Sequence, residues 1–318
     1  MLNRRSSLLA LASLPLVAAC GGGHDDTVDP ASRNIVQAAL ADPQFSLLAE
    51  AVVAAGLTAT LSGPGPFTVF APTNAAFTAL LAELGTTKEA LFADRALLTT
   101  VLTYHVLGSR VGSAAIPIGR AITTVQGGIF KIDRVDGALR VQDGRNRTAR
   151  IVAADVGTSN GVIHAIDRVL LPANRNVVET AVALANGTPP QFTLLVEAVV
   201  TAGLAPTLSG TGPFTVFAPT DAAFAALLAE LGVTKEALFA NTALLTSVLT
   251  YHVLPLRALR AEVPVGNALT TVQGQTLTVN SAFQIVDQRG RSAAIVATDT
   301  LASNGVIHVI DRVILPRA

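Results

Sequence analysis

The chain has 318 residues, of which half are apolar, 14% are charged and 4% are aromatic. This apolar content excludes an intrinsically disordered protein. Lys plus Arg and Asp plus Glu both number 22, so we expect neither a nucleic-acid-binding surface nor an acidic tail. The single cysteine excludes an internal disulfide and a metal site built from several cysteines.

The first twenty residues have the features of an export signal. Arg4 and Arg5 form a basic start, and the largely apolar run 8–19 is shorter than the roughly twenty residues that cross a bilayer. It ends at Val17-Ala18-Ala19-Cys20, which resembles the lipobox of bacterial lipoproteins, whose cysteine is acylated. We predict export and lipid anchoring through Cys20 in the bacterial cell envelope. Gly21 after the cysteine favours the outer membrane, and an ordinary secretory signal is the alternative.

An internal repeat divides the rest of the chain. Residues 45–107 and 192–254 align at a constant offset of 147 with 51 of 63 positions identical, and the offset falls to 144 near each C-terminal end. A period of this size matches one ordinary domain. The predicted organisation is a signal peptide (1–20), a glycine-rich acidic tether (21–30), a first domain (31–173) and a second domain (174–318).

Helical patterns fill the first half of each repeat. In the first copy, Phe45 begins an apolar helical period that should end at Gly56. Residues 67–70 alternate as a strand. Thr73 and Thr87 are candidate N-caps of two further helices, the second with Glu89 in its first turn. A fourth helix is predicted from Leu97 to Val106.

β-Branched residues and turns dominate the second half of each repeat. Strands are predicted at residues 122–125, 129–132, 139–142, 151–153 and 162–171. Asn160-Gly161 is interpreted as a turn whose residues tolerate positive φ. Helices that come first and strands that come later indicate an α+β domain, since βαβ alternation is absent from the pattern.

Three segments, each present in both copies, resemble the H1, YH and H2 segments of the fasciclin (FAS1) domain. In the first copy they are Phe67 to Phe77, Tyr104-His105-Val106-Leu107 and Ser159 to Asp167, and in the second they are Phe214 to Phe224, Tyr251-His252-Val253-Leu254 and Ser303 to Asp311. The resemblance covers nearly the whole chain after the tether. It implies two tandem fasciclin-like domains, each a β-wedge of strands packed against several helices.

The resemblance also implies a function without catalysis or cofactor, as in extracellular adhesion and matrix-associated proteins. In animal members, integrin recognition is attributed to the YH segment and to an Asp-Ile-type dipeptide before H2. The matching positions here are Tyr104, His105, Asp155 and Val156 in the first copy and Tyr251, His252 and Asp299 in the second. The second copy departs from the dipeptide with Thr300 after Asp299, so these residues are candidate interaction sites only.

Two chemical alternatives have weaker support. Residues 157–161 fit the G-x-S-x-G pattern of a serine hydrolase, but that motif needs a helix after the serine, and a strand is predicted there. Each copy carries two histidines, His105 and His164 or His252 and His308, without a local third ligand for a metal. We therefore interpret them as buried residues that hydrogen-bond to the backbone or to an aspartate.

A basic cluster distinguishes the first copy. It contains Arg145, Arg147 and Arg150 and extends back to Lys131, whereas the second copy keeps only Arg289 and Arg291. A solvated surface accounts for the cluster, and a docking patch is the alternative. The sequence favours an adhesion or interaction lipoprotein whose partner is a protein or matrix component at the cell surface. The alternative function is an extracytoplasmic binder of a small apolar ligand, such as a lipid or pigment.

Overall fold

The computed structural model describes residues 32–317. The predicted signal peptide, Cys20 and the tether lie outside the described residues. The remaining chain forms two units of the predicted α+β class, and each contains a seven-stranded sheet.

Short helices precede and interrupt the first sheet. They are α1 (Ile35–Ala41), α2 (Ser46–Ala55), α3 (Thr58–Ser62), α4 (Asn74–Leu84), α5 (Lys88–Ala93) and α6 (Arg95–Tyr104). The predicted helix end at Gly56 and the predicted caps are confirmed. Gly56 ends α2 in the left-handed conformation, and the Thr73 and Thr87 side chains cap α4 and α5. Two helices were not predicted, α1 with its N-cap at Asn34 and the short α3.

The strands of the first sheet are β1 (Phe67–Pro72), β2 (Val106–Leu107), β3 (Ala121–Thr123), β4 (Ile129–Val135), β5 (Ala138–Gln142), β6 (Thr148–Thr158) and β7 (Gly161–Ile166). Their order in the sheet is β2-β1-β7-β6-β5-β4-β3. The single parallel pair in this sheet is β1 with β7, and the other neighbours are antiparallel.

The second unit repeats this plan. Its helices are α7 (Val177–Ala185), α8 (Thr193–Thr201), α9 (Ala205–Ser209), α10 (Asp221–Leu231), α11 (Lys235–Ala240) and α12 (Thr242–Tyr251). Its strands are β8 (Phe214–Pro219), β9 (Val253–Leu254), β10 (Ala268–Thr270), β11 (Thr276–Val279), β12 (Gln284–Val286), β13 (Ser292–Ala302) and β14 (Gly305–Ile310).

Two apolar clusters form the core of each unit. In the first unit one cluster lies between the helices and the pair β1–β7, and it includes Leu48, Phe77 and Leu98. The other lies in the curve of the sheet, where Phe70 and Phe130 meet edge to face with ring centroids 5.0 Å apart. The sheet is therefore covered on both faces near β1 and β7, and the buried histidines lie there.

Several predicted strand bounds are too short, since β4 extends to Val135 and β6 runs from Thr148 to Thr158. Two further predicted ends are wrong, and long-range partners explain both. The helix predicted through Val106 ends at Tyr104, because Val106 and Leu107 pair with β1 as strand β2. The strand predicted to reach Leu171 ends at Ile166. Beyond it, side chains take the place of a neighbouring strand: the Leu170 N–H donates to His105 Nε2 and the Leu171 N–H donates to Asp143 Oδ2, both at 2.9 Å.

The turn at Asn160-Gly161 is confirmed, but its predicted reason is wrong. Neither residue has a positive φ. Gly161 is required because a Cβ there would lie 2.1 Å from the Phe67 carbonyl oxygen, where β7 approaches β1. The Asn160 side chain accepts from Ile35 N at 3.0 Å and donates to the carbonyls of Leu61 and Gly63, each at 2.8 Å. It thereby holds α1 and the end of α3 against the sheet.

Candidate functional site

The predicted Tyr-His site residues lie in the core. Tyr104 and Tyr251 are fully buried, and His105 and His252 are nearly so. The Tyr104 hydroxyl donates to the Ile129 carbonyl and accepts from the Gly144 N–H at 2.8 Å. Burial raises the pKa of both tyrosines, that of Tyr251 to about 12. These side chains hold the sheet to α6 and α12 and do not themselves reach a partner.

The histidine after each tyrosine is held in one neutral tautomer. His105 Nδ1 lies 2.7 Å from the Val101 carbonyl, to which it must donate, and Nε2 accepts from Leu170 N–H. Burial lowers the pKa of His105 and of its equivalent His252 to about 4. Both ring nitrogens are occupied, so neither histidine has a lone pair free for a metal.

The second histidine supports the loop that carries the candidate aspartate. His164 Nε2 donates to the Val111 carbonyl at 2.9 Å, and Nδ1 accepts from the Asp155 N–H at 3.2 Å. Asp155 lies in an irregular stretch of β6 with φ at +61°, which turns its carboxylate out of the sheet. The histidine therefore fixes the backbone of Asp155, and it does not face solvent itself.

The first candidate aspartate is exposed together with its neighbour. The Asp155 carboxylate accepts from the backbone N–H of Ser113 at 2.8 Å and from the Ser113 hydroxyl. These hydrogen bonds lower the pKa of Asp155. Val156 beside it is 42% exposed. We call Ser113, Asp155 and Val156 the Asp155 face.

The equivalent aspartate of the second unit is buried in a contact between the two units. Asp299 also has a positive φ, and its side chain is only 3% exposed. Its carboxylate accepts from the Arg260 N–H at 2.7 Å and from Lys131 Nζ at 2.8 Å. Burial alone would lower the pKa of Lys131, but the hydrogen bonds to Asp299 and Asp133 outweigh it and raise that pKa. Asp299 therefore binds the first unit.

Further hydrogen bonds surround this ion pair. The Asn146 side chain bonds both backbone groups of Leu301, donating to the carbonyl at 3.0 Å and accepting from the N–H at 2.7 Å. Gln142 donates to the Asp299 carbonyl at 2.7 Å, and Glu262 accepts from the Ala121 N–H at 3.0 Å. A buried apolar cluster completes the contact, and it consists of Ile129, Leu259, Leu301 and Val306 with Ala121 packed against it.

Part of the contact is built from positions at which the repeats differ, whereas Asp299, Val306 and Ala121 have identical counterparts in the other copy. On the first unit's side, Lys131, Gln142 and Asn146 correspond to Thr278, Val286 and Gly290 in the second copy. On the second unit's side, Leu259, Glu262 and Leu301 correspond to Gly112, Ala115 and Gly157 in the first copy. Sequence reasoning did not identify this contact. An alignment of the two copies contains the signal, because these differing positions lie between segments that are nearly identical.

The basic cluster separates into residues with different environments. Arg147 is structural, because it bonds Asp143, Glu83 and the Val169 carbonyl, as Arg291 does with the equivalent partners in the second unit. Arg150 is exposed and pairs with Asp167 at 2.9 Å. Arg145 lines a cavity between the units. The arginines thus do not form one continuous patch.

Two equivalent apolar cavities lie beneath α1 and α7. The cavity under α1 has a volume of about 20 Å³ and that under α7 about 60 Å³. Both are far below the roughly 300 Å³ at which small-molecule pockets begin. Within residues 32–317, no group of three potential metal ligands comes together, and no single helix is long and apolar enough to cross a membrane. Two consecutive helical segments on either side of Asp42 are together long and apolar enough for a membrane span, but they meet at a bend of 108°.

Comparison with known proteins identifies the family. The Fasciclin domain model matches residues 43–172 and again residues 190–316. The chain belongs to the fasciclin family. Fasciclin-domain proteins take part in cell adhesion and interaction.

Relatives of this fasciclin protein occur in animals and bacteria. It is 30% identical over 258 residues to the transforming growth factor-beta-induced protein ig-h3 of Sus scrofa, covering 80% of this chain and 35% of that protein. It is 41% identical over 142 residues to protein sll1483 of Synechocystis sp., covering 44% of this chain and 74% of that protein. The chain therefore spans about a third of the animal relative. A solved FAS1 domain pair from the insect cell adhesion molecule fasciclin I aligns with 88% of this chain and 95% of its own, at 19% identity and a TM-score of 0.42.

Proposed function

We propose that this protein is a non-enzymatic adhesion or interaction lipoprotein of the bacterial cell envelope, anchored through Cys20. It presents its two fasciclin domains as one body to a protein or matrix partner. The observation that carries the proposal is the unequal state of two equivalent aspartates. Asp299 is buried against Lys131, whereas Asp155 is exposed. The paired domains thus leave one such face free.

The Asp155 face has the properties of a recognition surface. Its carboxylate is ionised and held in place by Ser113, so little conformational freedom is lost when a partner binds. Val156 adds exposed apolar area beside the charge. Family membership supports adhesion, and the two buried apolar cavities are too small for a lipid or pigment. The alternative has one candidate, an open apolar depression of about 580 Å³ lined by Leu40, Val53 and Phe92.

An attachment assay tests the Asp155 face. Val156→Arg should reduce attachment of cells to one another or to a surface to the level of a gene deletion, because a long charged side chain would cover the face. Val296→Arg is the matched control, since Val296 is 58% exposed on β13 and should tolerate the change. Attachment that is the same in wild-type cells, in the Val156→Arg variant and in the deletion would contradict the proposed function.

Membrane fractionation tests the anchor. Cys20→Ser removes the thiol that acylation requires, so the variant should move from the detergent-extracted membrane fraction to the soluble fraction. Unchanged partitioning would rule out lipidation at this position.

A further inference from the structure

Two adjoining cavities lie between the domains, next to the contact. The first has a volume of about 270 Å³ and the second about 390 Å³, and both are bordered by Gly144 and Leu301. The first is lined by polar side chains from both domains and from the segment that joins them. These are Arg145, Asn146, Arg147, Asn174, Arg175 and Thr180.

Three arginines line the first cavity, and two of them have side chains without a partner among the described residues. Arg147 is fully engaged by Asp143 and Glu83. The side chains of Arg145 and Arg175 have no hydrogen-bond or ion-pair partner within residues 32–317, and Arg145 Nε is buried without an acceptor. Buried donors in folded proteins nearly always have a partner. Within residues 32–317 three buried side-chain atoms lack one, Arg140 Nε, Arg145 Nε and Thr158 Oγ1, and only Arg145 belongs to a residue that lines the first cavity.

The second domain provides an internal reference. Arg289 occupies the position equivalent to Arg145, and its Nε donates to the Pro316 carbonyl at 2.9 Å. The same residue type in the same turn is therefore satisfied by the backbone in one domain and left unsatisfied in the other. The difference arises where Arg145 faces the cavity.

The electrostatics of the cavity are unfavourable as it stands. Burial lowers the pKa of Arg145, and the like charges of Arg147 and Arg175 lower it further, against the opposing effect of Asp143 and Glu83. Both carboxylates already pair with Arg147. An anion in the cavity would accept from the outer guanidinium N–H groups of Arg145 and Arg175, and it would offset the repulsion between the guanidinium groups.

We propose that the first cavity binds a tetrahedral oxyanion, phosphate or sulfate, either free or as the ester group of a larger molecule. The planar donor fork of a guanidinium matches two oxygens of such a group, and two unpaired arginines balance the charge of a dianion. Asn174 and Thr180 add neutral polar groups to the lining. In an ester, the rest of the molecule would extend into the second cavity, which Arg257 lines.

Calorimetric titration with inorganic phosphate and inorganic sulfate, at constant ionic strength set with chloride, tests the site on the whole protein. We expect saturable binding of one anion per chain. Affinity should fall about tenfold or more in Arg145→Gln and in Arg175→Gln, because each removes a charged donor. Arg150→Gln and Arg289→Gln lose the same charge elsewhere and should bind as the wild type does.

Further titrations distinguish a free anion from a phosphate ester. If glucose 6-phosphate binds more tightly than inorganic phosphate and Arg257→Gln removes only that gain, the ligand is an ester. If the two bind equally, the site takes the free anion. Binding that is absent in the wild type, equal in the Arg145→Gln, Arg175→Gln and Arg150→Gln variants, or stronger for succinate than for phosphate would overturn the proposal. Arg175 is exposed, so its variant reports even if Arg145→Gln fails to fold.

Discussion

Single polar side chains bind together segments that are far apart in the chain. Asn160 and its equivalent Asn304 each hold the first helix of a domain, the end of a second helix and the final hairpin by three hydrogen bonds. His105 ties α6 to the segment after β7 in the same way. The shared motifs of the family are therefore explained in this chain by satisfied buried polar groups, which do not require catalysis.

The buried histidines predict how stability depends on pH. The pKa of His105 is about 4 in the folded protein and has an ordinary value of 6.5, so the unfolded chain takes up a proton at a pH at which the native one does not. The free energy of unfolding should be constant above about pH 7 and fall as the pH drops towards 4. The loss is about 3 kcal/mol for each such histidine.

Urea denaturation of His105→Leu tests this assignment. The variant should be less stable at pH 7.5 by about 1–3 kcal/mol, because the Leu170 N–H loses its acceptor. Its deficit should shrink as the pH approaches 4, and His252→Leu should behave alike in the second domain. A deficit that stays constant with pH would show that the pKa of His105 is the same in the native and unfolded states, which would contradict the assignment.

At the scale of elements, the parallel strands β1 and β7 are neighbours in the first sheet, and Gly161 allows them to approach each other closely. Gly161→Ala should lower the free energy of unfolding by about 3 kcal/mol or more, since the new Cβ would lie 2.1 Å from the Phe67 carbonyl oxygen. Gly108→Ala is the control, because a Cβ there meets nothing within 4 Å and φ is not positive. It should change the free energy by less than about 0.5 kcal/mol. Equal effects in the two variants would refute the close approach of the strands.

Elements with local signals were predictable, and those set by distant partners were not. The caps at Thr73 and Thr87 and the stop at Gly56 act within one helical turn, so the sequence located those ends. Strand β2 forms because two residues after α6 pair with the free edge of β1. The hydrophobic periodicity of the sequence does not show that this edge is available. Similarly, Leu170 and Leu171 look like strand residues, yet the side chains of His105 and Asp143 satisfy their N–H groups.

The candidate site was predictable in part. The resemblance located Asp155 and Asp299, but nothing local distinguishes an exposed aspartate from one buried against another domain. Lys131 was visible only as a member of a basic cluster, and its partner is 168 residues away. Aligning the two copies would have marked this position as unusual, because Lys131 aligns with Thr278 in the second copy.

At the scale of the whole molecule, the Lys131–Asp299 pair should couple the unfolding of the two domains. Lys131→Thr introduces the residue that the second copy has at this position and leaves Asp299 buried without its cation, at a cost of about 3 kcal/mol. Calorimetry should show one cooperative transition in the wild type and two resolved transitions in the variant. Asp155→Asn, the matched change on the exposed face, should keep a single transition. Two transitions in the wild type would mean that the contact does not couple the domains.

Duplicated domains joined head to tail carry a hazard, because a contact between unlike faces can be repeated by the next molecule until a fibre forms. Here the two outer faces have lost what a repetition would need. The outer sheet face of the second domain has Thr278 where a lysine would be required, and the outer loop of the first has Gly157 in place of the packing leucine. We therefore expect that a second molecule does not repeat the contact between the two domains.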